Sequence, residues 1–319
     1  MVATSSDGDQ SGRAAARERA LTRLAAGDLE LSKDEQIALS ALDRENCDRF
    51  MAVFARLVSD DRLSLLQLLT SLEEGAPLAD FSAISLAAIA DEEPTVRATA
   101  VAALGDYEAT DSIEPLLALA HDDPDDGVRG EAVVALGSAA LRAAFGQLSD
   151  SLRGRLVEEL HAIALDVSEE SLIRASAFAS VAVIDEPWVR DLIFDFFEEG
   201  DDVLRLGAIQ AMGRTADLYW LPTLENSMTV MDDDERVAAA TASGEIGDED
   251  GVPALAELLD DESLEVVLAA IEALGEIGGP EVAEQLERVS THPENEVRLA
   301  VQAAVETATF ADDPMGFSR

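Results

Sequence analysis

The chain is nearly devoid of lysine. Lys33 is its only lysine among 319 residues, and arginine supplies the rest of its 22 basic side chains. Asp and Glu together number 66, which gives a formal net charge of −44 at pH 7. Proteins bind nucleic acids largely by neutralising phosphates with Lys and Arg. We therefore expect no nucleic-acid partner.

Cysteine, histidine and long apolar runs are also scarce. Cys47 stands alone, so no disulfide can form within the chain, and a buried, inert thiol is the expectation. The three histidines are scattered without a cysteine nearby, which argues against a zinc site. No stretch reaches the roughly 18 uninterrupted apolar residues of a membrane span, and residues 1–20 lack the apolar core of a secretory signal. We expect a cytoplasmic protein without a membrane contact.

Catalytic and nucleotide-binding motifs are missing as well. The acidic stretch HDDPDDGVRGE from His121 resembles a calcium loop, but Pro124 occupies a ligand position when Gly127 is aligned with the required glycine. There is no Walker-type phosphate loop and no G-x-S-x-G turn around a nucleophilic serine. We expect no enzymatic activity, no cofactor and no bound metal.

The acidity accompanies a composition that can form a core. Hydrophobic residues make up 48% of the chain, unlike a disordered acidic segment. So much like charge destabilises a compact state in ordinary salt, whereas at about 1 M salt the Debye length falls to about 3 Å. The composition resembles that of cytoplasmic proteins from haloarchaea that accumulate salt. A protein that mimics DNA or binds basic partners is the alternative.

One line of sequence recurs with an Arg beside an apolar stripe. It reads TVRATAVAALGDY over 95–107 and GVRGEAVVALGSA over 127–139. Its anchors stand at positions 97, 129, 174, 205, 236, 267 and 298, spaced by 32, 45, 31, 31, 31 and 31 residues. Every anchor is Arg except Val267, and a fainter copy begins at Arg62. Ala usually follows at the third position after the anchor and Gly at the eighth.

This spacing predicts pairs of short helices. Offsets of 0, 3 and 7 lie on one helical face, and the Gly beyond them predicts a helix C-terminus. A second apolar run lies between copies, with Pro115, Pro222 or Pro253 near its start, where a first helical turn tolerates proline. One such pair cannot bury its apolar face alone, whereas stacked pairs form a continuous core. We predict an all-α, right-handed α-solenoid of about seven to eight helix pairs.

The repeated unit resembles HEAT repeats, in particular the short kind of phycobilisome-lyase proteins. The resemblance covers about residues 45–308 and rests on the pattern D-x5-R followed by A-x3-L-G. It implies that the acid and the Arg form a ladder linking successive units. The acid stands six residues before the Arg in three copies, whereas Val230, Asp261 and His292 make the C-terminal rungs irregular. The expected ladder residues are Asp91, Arg97, Asp123, Arg129, Arg174, Glu199, Arg205, Arg236 and Arg298.

Four segments follow from this pattern. Residues 1–11 are expected to be disordered, residues 12–44 to form N-terminal capping helices, 45–308 the solenoid and 309–319 a frayed tail. The Arg-rich helix Gly12–Gly27 either meets the acidic body or serves as a docking arm for an acidic partner. About 14 extra residues near 139–156 either lengthen a helix or add a loop, and they serve a binding face or are only a tolerated insertion.

Acids are kept out of the anchor segments. The seven nine-residue windows that begin at the anchors contain only Glu131, Glu272 and Glu306, where the chain average would give about 13 acids. In HEAT-like arrays this helix lines the concave side. Core burial explains part of the depletion, and the remainder predicts an acid-poor groove that could receive a helix or loop of a partner.

Aromatic residues cluster in one part of the chain. Six of its 14 aromatics lie between positions 188 and 220. Most are explained by core packing, but the neighbours Phe196 and Phe197 cannot both face one core, and neither can the pair at 219–220. Exposed aromatics are candidate anchors for a partner. The candidate binding residues are Trp188, Phe194, Phe197, Tyr219 and Trp220.

These observations favour a non-enzymatic scaffold or adaptor that binds another protein. Haloarchaeal proteins similar to this one include adaptors that link taxis signalling to the motility motor, so the resemblance implies that role. The alternative is a lyase-like or chaperone-like protein that acts on a cofactor-bearing client, because the similar lyases attach bilins. No catalytic residue carries over from that family.

Overall fold

The computed structural model describes residues 6–75, 79–105, 107 and 110–312. Within these residues the regular structure is entirely helical, without a β-strand. The chain divides into two compact units, Met1–Ala139 and Ala140–Arg319. The predicted all-α class of HEAT-like helix pairs is confirmed within each unit.

The first unit contains the N-terminal helices and the early repeats. Its core includes the fully buried rings of Phe50, Phe54 and Phe81. The helices are α1 (Ser6–Ala25), α2 (Lys33–Ala38), α3 (Arg44–Phe54), α4 (Ser59–Gly75), α5 (Ser82–Ala88), α6 (Pro94–Ala102), α7 (Ile113–Asp122) and α8 (Asp126–Ala144), the last of which carries the boundary between the units.

Helix α1 packs on α2 and α3, and its arginines meet acids of the same unit. Arg19 and Arg23 both approach the carboxylate of Glu35, which also completes the capping box of α2 with Ser32. These contacts support the capping role over the docking arm. Helix α1 begins at Ser6, so it includes residues 6–11, for which the sequence predicted disorder; residues 1–5 lie outside the described part.

The second unit contains the regular repeats. It comprises α9 (Asp150–Leu165), α10 (Ser171–Val181), α11 (Val189–Glu199), α12 (Asp202–Arg214), α13 (Leu221–Ser227), α14 (Asp233–Ile246), α15 (Val252–Leu258), α16 (Leu264–Ile277), α17 (Gly279–Val289) and α18 (Asn295–Asp312). Short 3-10 turns at Leu218–Trp220 and Glu249–Gly251 lead into α13 and α15. The predicted tail at 309–319 begins inside α18, and residues 313–319 lie outside the described part.

The anchor helices of this unit form one continuous layer. Helices α10, α12, α14, α16 and α18 carry the anchors, and each packs on the next. Helices α11, α13, α15 and α17 pack mainly on the neighbouring anchor helices and form the second layer. Each anchor helix therefore buries its apolar stripe between both neighbours, as the repeat logic requires.

The Gly of the repeat follows the end of α6 at Gly105, as predicted, but in the later copies with a Gly it lies inside the helix. A Cβ at Gly244 would lie 2.7 Å from the Cα of Ala273 on the next anchor helix, so only glycine allows this close approach. The prediction of a helix C-terminus is wrong here, because α14 continues to Ile246 and is capped by Gly247 at a φ of 73°. Equivalent close contacts occur at Gly213 and Gly275.

The extra residues near 139–156 lengthen two helices. Helix α8 has 19 residues and α9 has 16, whereas α12 has 13 and α11 has 11. Gly146, at a φ of 69°, lies in the turn after α8. Of the two expectations for this insertion, the longer helix is confirmed.

Candidate protein-binding site

The predicted aromatic residues lie on α11 and on the turn before α13. Trp188 immediately precedes α11, which carries Phe194 and Phe197, and the 3-10 turn carries Tyr219 and Trp220. All five belong to the second unit. Their exposure differs, and this difference separates internal supports from surface residues.

Trp220 is an internal support. Its side chain is 1% exposed, whereas that of Tyr219 is 53% exposed. Consecutive residues of a 3-10 helix point about 120° apart, so one ring enters the core and the other faces outward. The prediction that Trp220 itself contacts a partner is therefore corrected. Trp220 holds the ring of Tyr219 from below, with 5.0 Å between the ring centroids.

Trp188 and Phe197 are half-buried and occupied by neighbours. The indole of Trp188 stacks on the imidazole of His161, with the ring centroids 3.8 Å apart and the planes 12° from parallel. Burial lowers the pKa of His161. The guanidinium of Arg205 lies 3.8 Å from the ring centroid of Phe197. Both rings therefore stabilise packing within the repeats.

Phe194 and Tyr219 form the exposed part of the cluster. We call them the aromatic patch. Phe194 is 40% exposed, and its ring meets Tyr219 edge to face at 6.3 Å and Trp220 at 5.0 Å. The guanidinium of Arg190 covers the other ring, 4.6 Å from the centroid of Tyr219. Packing on a buried Trp and an Arg holds both rings in place, which lowers the entropy cost of binding a partner.

Acids surround the aromatic patch. On α11, the exposed residues Asp191, Asp195 and Glu198 stand three before, one after and four after Phe194. Positions three and four apart share a helix face, so Asp191 and Glu198 flank the ring. Asp217 forms an ion pair with Arg190. Hydrogen bonding from the Tyr219 N–H, opposed by burial and assisted by Arg190, holds the pKa of Asp217 below its usual value.

A small cleft adjoins the aromatic patch. Its volume is about 150 Å³, and its wall includes Arg190 and Trp220, which contact the rings of the patch. The carboxylates of Asp185, Glu186 and Asp217 lie along it. Glu186 pairs with Arg153 at 2.8 Å and Asp217 pairs with Arg190. The lining residues are Ala182, Val183, Ile184, Asp185, Glu186, Val189, Arg190, Thr215, Asp217 and Trp220.

The acid–Arg ladder has a clear register. An anchor Arg typically makes two kinds of contact. Its guanidinium pairs with an acid that lies at or just before the start of the following repeat, and another N–H of the same guanidinium donates to a backbone carbonyl that precedes the Arg's own helix. Arg97 illustrates both contacts: it donates to the carboxylate of Asp123 at 2.7 and 2.8 Å and to the carbonyl of Asp91 at 2.9 Å. The other rungs are Arg62–Asp91 (2.9 Å), Arg205–Glu235 (3.1 Å) and Arg236–Asp261 (3.0 Å).

This register explains the six-residue spacing. Arg129 donates to the carbonyl of Asp123, and Arg298 to the carbonyl of His292, each six residues earlier. The residue at that position thus offers its carbonyl to its own Arg and its side chain to the preceding repeat. Burial works to raise the pKa of Asp123, but hydrogen bonds from Arg97 and from the Asp125 N–H outweigh it and keep that pKa low.

Two expected ladder residues have different surroundings. Glu199 is exposed, and Arg205 pairs instead with Glu235, next to the following anchor. Arg174 donates to the carbonyl of Ala164 at 3.1 Å and lies over the ring of Phe196 at 5.5 Å. The rung between Val267 and His292 has no Arg to form it.

The remaining candidate chemistry is sparse. Within the described ranges, no group of His, Cys, Asp or Glu is arranged to hold a metal ion. The thiol of Cys47 is buried and donates to the carbonyl of Ala83 at 3.2 Å; burial, and then the nearby Asp48, raises its pKa. A raised pKa makes this thiol a poor nucleophile. Across the part of the chain that the structure describes, no helix is long and apolar enough to cross a membrane.

The acid-poor windows, which are the nine residues that begin at each anchor, contribute residues to both the core and the surface. Their small and apolar residues fill the contacts between anchor helices, while Glu272 and Glu306 are exposed and Glu131 is half-buried. In the second unit, a half-buried to exposed apolar column runs one position after the anchor. Its members are Leu206, Val237, Leu268 and Leu299.

Sequence reasoning missed the polar partners of the aromatic patch. Arg190 and Asp217 lie 27 residues apart, close to the separation of the ladder pairs, and they link successive second-layer elements in the same way. That near-repeat separation was the available signal. The cleft carboxylate of Asp185 has no comparable sequence signal, because acids are too common in this chain to single one out.

Comparisons with known proteins agree with the repeat pattern. Solved structures similar to the chain include human deoxyhypusine hydroxylase in complex with glycerol (16% identity, 95% of this chain and 98% of that chain, TM-score 0.36) and the Escherichia coli protein YibA (16%, 92% and 96%, 0.44). An engineered protein matches at 19% identity, over 96% of this chain and 97% of its own, with a TM-score of 0.40. No curated protein matches the sequence. A family model described as HEAT repeats matches residues 82–137 in the first unit and 221–306 in the second.

Proposed function

We propose that the protein is a non-enzymatic scaffold that binds another protein through the aromatic patch. One observation carries the proposal: Phe194 and Tyr219 are exposed, braced from below by Trp220, and set in an otherwise anionic surface. Rigid aromatic side chains supply large contact areas at low entropy cost, which is why they dominate the energetics of interfaces. HEAT repeats are a helical scaffold of the kind that presents such surfaces.

The partner segment that fits is basic and apolar. An apolar side chain would cover Phe194 and Tyr219, while a Lys or Arg would enter the cleft and meet Asp185. Asp191 and Glu198 would then face further cations at the rim. A segment carrying carboxylates would meet like charge at Asp191, Asp195 and Glu198, which disfavours it.

The setting of this function is a salt-rich cytoplasm. A net charge of −44 destabilises a compact chain unless salt screens it. In multimolar salt the Debye length is about 3 Å, so ion pairs act only at contact and contribute little to long-range attraction. Apolar burial then supplies most of the affinity, and the acids of the cleft select the partner. The specific role that we propose is that of an adaptor between taxis signalling and the motility apparatus of a haloarchaeon.

The test is binding of a defined peptide to the full chain in high salt. The probe is a short helical peptide with leucine on one face and arginine on its flanks, and a matched peptide carries glutamate in place of arginine. Fluorescence of Trp220, which lies against both rings of the patch, reports occupancy. We expect the arginine peptide to bind and the double substitution Phe194→Ala with Tyr219→Ala to weaken it about 30-fold or more.

Leu172→Ala is the matched control. Leu172 is 65% exposed in the same unit but lies outside the patch. Its substitution should leave peptide binding unchanged. Arginine-peptide binding that the double variant leaves unchanged, or an equal loss in the control and in the double variant, would remove the case for this site.

A further inference from the structure

The lengthened end of α8 has a surface unlike the rest of the chain. Leu141 is 48% exposed and Phe145 is 72% exposed, a larger exposed fraction than that of Phe194 or Tyr219. The two stand four residues apart near the C-terminal end of the helix, so they lie on one face. They belong to the inserted residues, and the regular 31-residue repeats have no counterpart of this face.

The charge in the sequence around this face is opposite in sign to that of the chain as a whole. Residues 132–149 contain no acid at all, although acids make up 66 of the 319 residues. Over residues 139–157, Arg142, Arg153 and Arg155 stand against the single acid Asp150. In a chain in which acids outnumber bases threefold, the stretch 132–149 thus contains one cation, Arg142, and no acid.

Arg142 is the cation best placed to act beside the exposed rings. It lies three residues before Phe145 and one after Leu141, so it borders the same face. It is half-buried, and within the described ranges no carboxylate pairs with it. Arg153 differs, because Glu186 already pairs with it at 2.8 Å.

Core formation does not account for this face. The buried side of the same helical segment is supplied by Ala140 and Ala143, which are nearly inaccessible. Leu141 and Phe145 therefore add nothing to the interior, and a solvent-facing Phe has an unfavourable hydration cost. The solvated face of α11, by contrast, carries Asp and Glu beside Phe194.

We propose that Leu141, Phe145 and Arg142 form a second docking surface, which binds an acidic apolar segment of a partner protein. The apolar side chains of that segment cover Leu141 and Phe145, and a carboxylate beside them pairs with Arg142. Charge complementarity commits the surface to this occupant, because Arg142 would repel a basic segment. This surface does not depend on the aromatic patch, whose surroundings favour the opposite charge.

The test measures binding of the glutamate-flanked helical peptide to the full chain in high salt, followed by fluorescence anisotropy of a dye on the peptide. We expect the peptide to bind, Phe145→Ala to weaken it about tenfold or more, and Arg142→Glu to weaken it by a similar factor. The arginine-flanked peptide should gain affinity for the Arg142→Glu protein. Leu141→Ala gives a second variant on the same face.

Two controls keep the outcome specific. Val167→Ala removes a side chain that is 85% exposed in the same unit but away from this face, and it should change nothing. Phe194→Ala with Tyr219→Ala should also leave this binding intact, so failure here and failure of the aromatic patch are distinguishable. In the chain that carries Phe194→Ala and Tyr219→Ala, tighter binding of the arginine peptide than of the glutamate peptide would overturn the proposal. A dimer that Phe145→Ala dissociates in sedimentation would also overturn it, since the occupant would be a second copy of the chain.

Discussion

Replacing the repeat glycine by alanine should destabilise the second unit. A methyl group added at Gly244 would lie 2.7 Å from the Cα and 2.8 Å from the Cβ of Ala273. Both atoms belong to α16, so the clash is relieved only by moving α14 away from α16. Overpacking of this kind costs about 1–3 kcal/mol, against a gain of about 1 kcal/mol from the higher helix propensity of alanine. We expect Gly244→Ala to lower the free energy of unfolding by up to about 2 kcal/mol.

The same substitution at Gly154 should have the opposite sign. Gly154 lies on α9, and nothing lies within 4 Å of the place its Cβ would occupy. Without a clash, only the propensity term remains, so Gly154→Ala should stabilise the chain by about 0.5–1 kcal/mol. The pair isolates close helix packing from the general effect of removing a glycine.

Urea unfolding followed by helical circular dichroism, at one fixed high salt concentration, measures both variants. Gly275→Ala should repeat the loss seen at Gly244, because its Cβ would lie 2.8 Å from the Cα of Ala304. If Gly244→Ala and Gly154→Ala both stabilise the chain, the glycine column serves some purpose other than close approach, and the packing account of the anchor layer is refuted.

Three further predictions test the electrostatics. Asp261→Ala should cost about 1–3 kcal/mol in urea unfolding, because the mostly buried Arg236 loses this carboxylate but keeps Asp233 and the carbonyl of Val230, whereas Asp260→Ala, which removes an exposed pair, should cost less than about 1 kcal/mol. Burial, and then neighbouring glutamates, raise the pKa of Glu276, so its carboxyl binds protons more tightly in the folded chain. Below the unfolded-state pKa of 4.5 the protonated carboxyl of Glu276 contributes its full stabilisation, and this is lost as the pH rises through the folded-state pKa. Glu276→Gln should therefore raise the melting temperature at pH 7 and make stability depend less on pH over this range. An unchanged dependence of stability on pH would contradict this prediction. Dilution from about 3 M to about 0.1 M salt should reduce the helical dichroism, and an unaltered spectrum would contradict the need for screening.

The repeat could be predicted from the sequence because its small and apolar residues recur at helical spacing. The 31-residue spacing from position 174 onward and the small residues at fixed offsets follow from a packing unit that contacts only its neighbours. The sequence could not distinguish a glycine that ends a helix from a glycine that lets a neighbouring helix pack closely against it. Both interpretations predict Gly near a helix end, and only the position of Ala273 on the adjacent helix decides between them.

The candidate site was predictable in position but not in detail. The two adjacent pairs, Phe196 with Phe197 and Tyr219 with Trp220, already show that one ring of each must leave the core. Which ring leaves depends on the direction in which the turn enters α13, and the sequence gives no sign of that direction. The rung from Arg205 to Glu235 was hidden for a related reason, because side-chain reach across repeats does not follow sequence spacing.

The two proposed surfaces together make an adaptor physically reasonable. A protein that joins two partners must keep each from occupying the other's site. Two apolar surfaces alone would bind each other's ligands, since apolar burial is not directional. The acids beside Phe194 and the acid-free stretch around Phe145 give the two surfaces opposite preferences at contact range, where ion pairs still act in high salt. It follows that Arg142→Glu should do more than weaken one site: it should let a single basic segment compete for both.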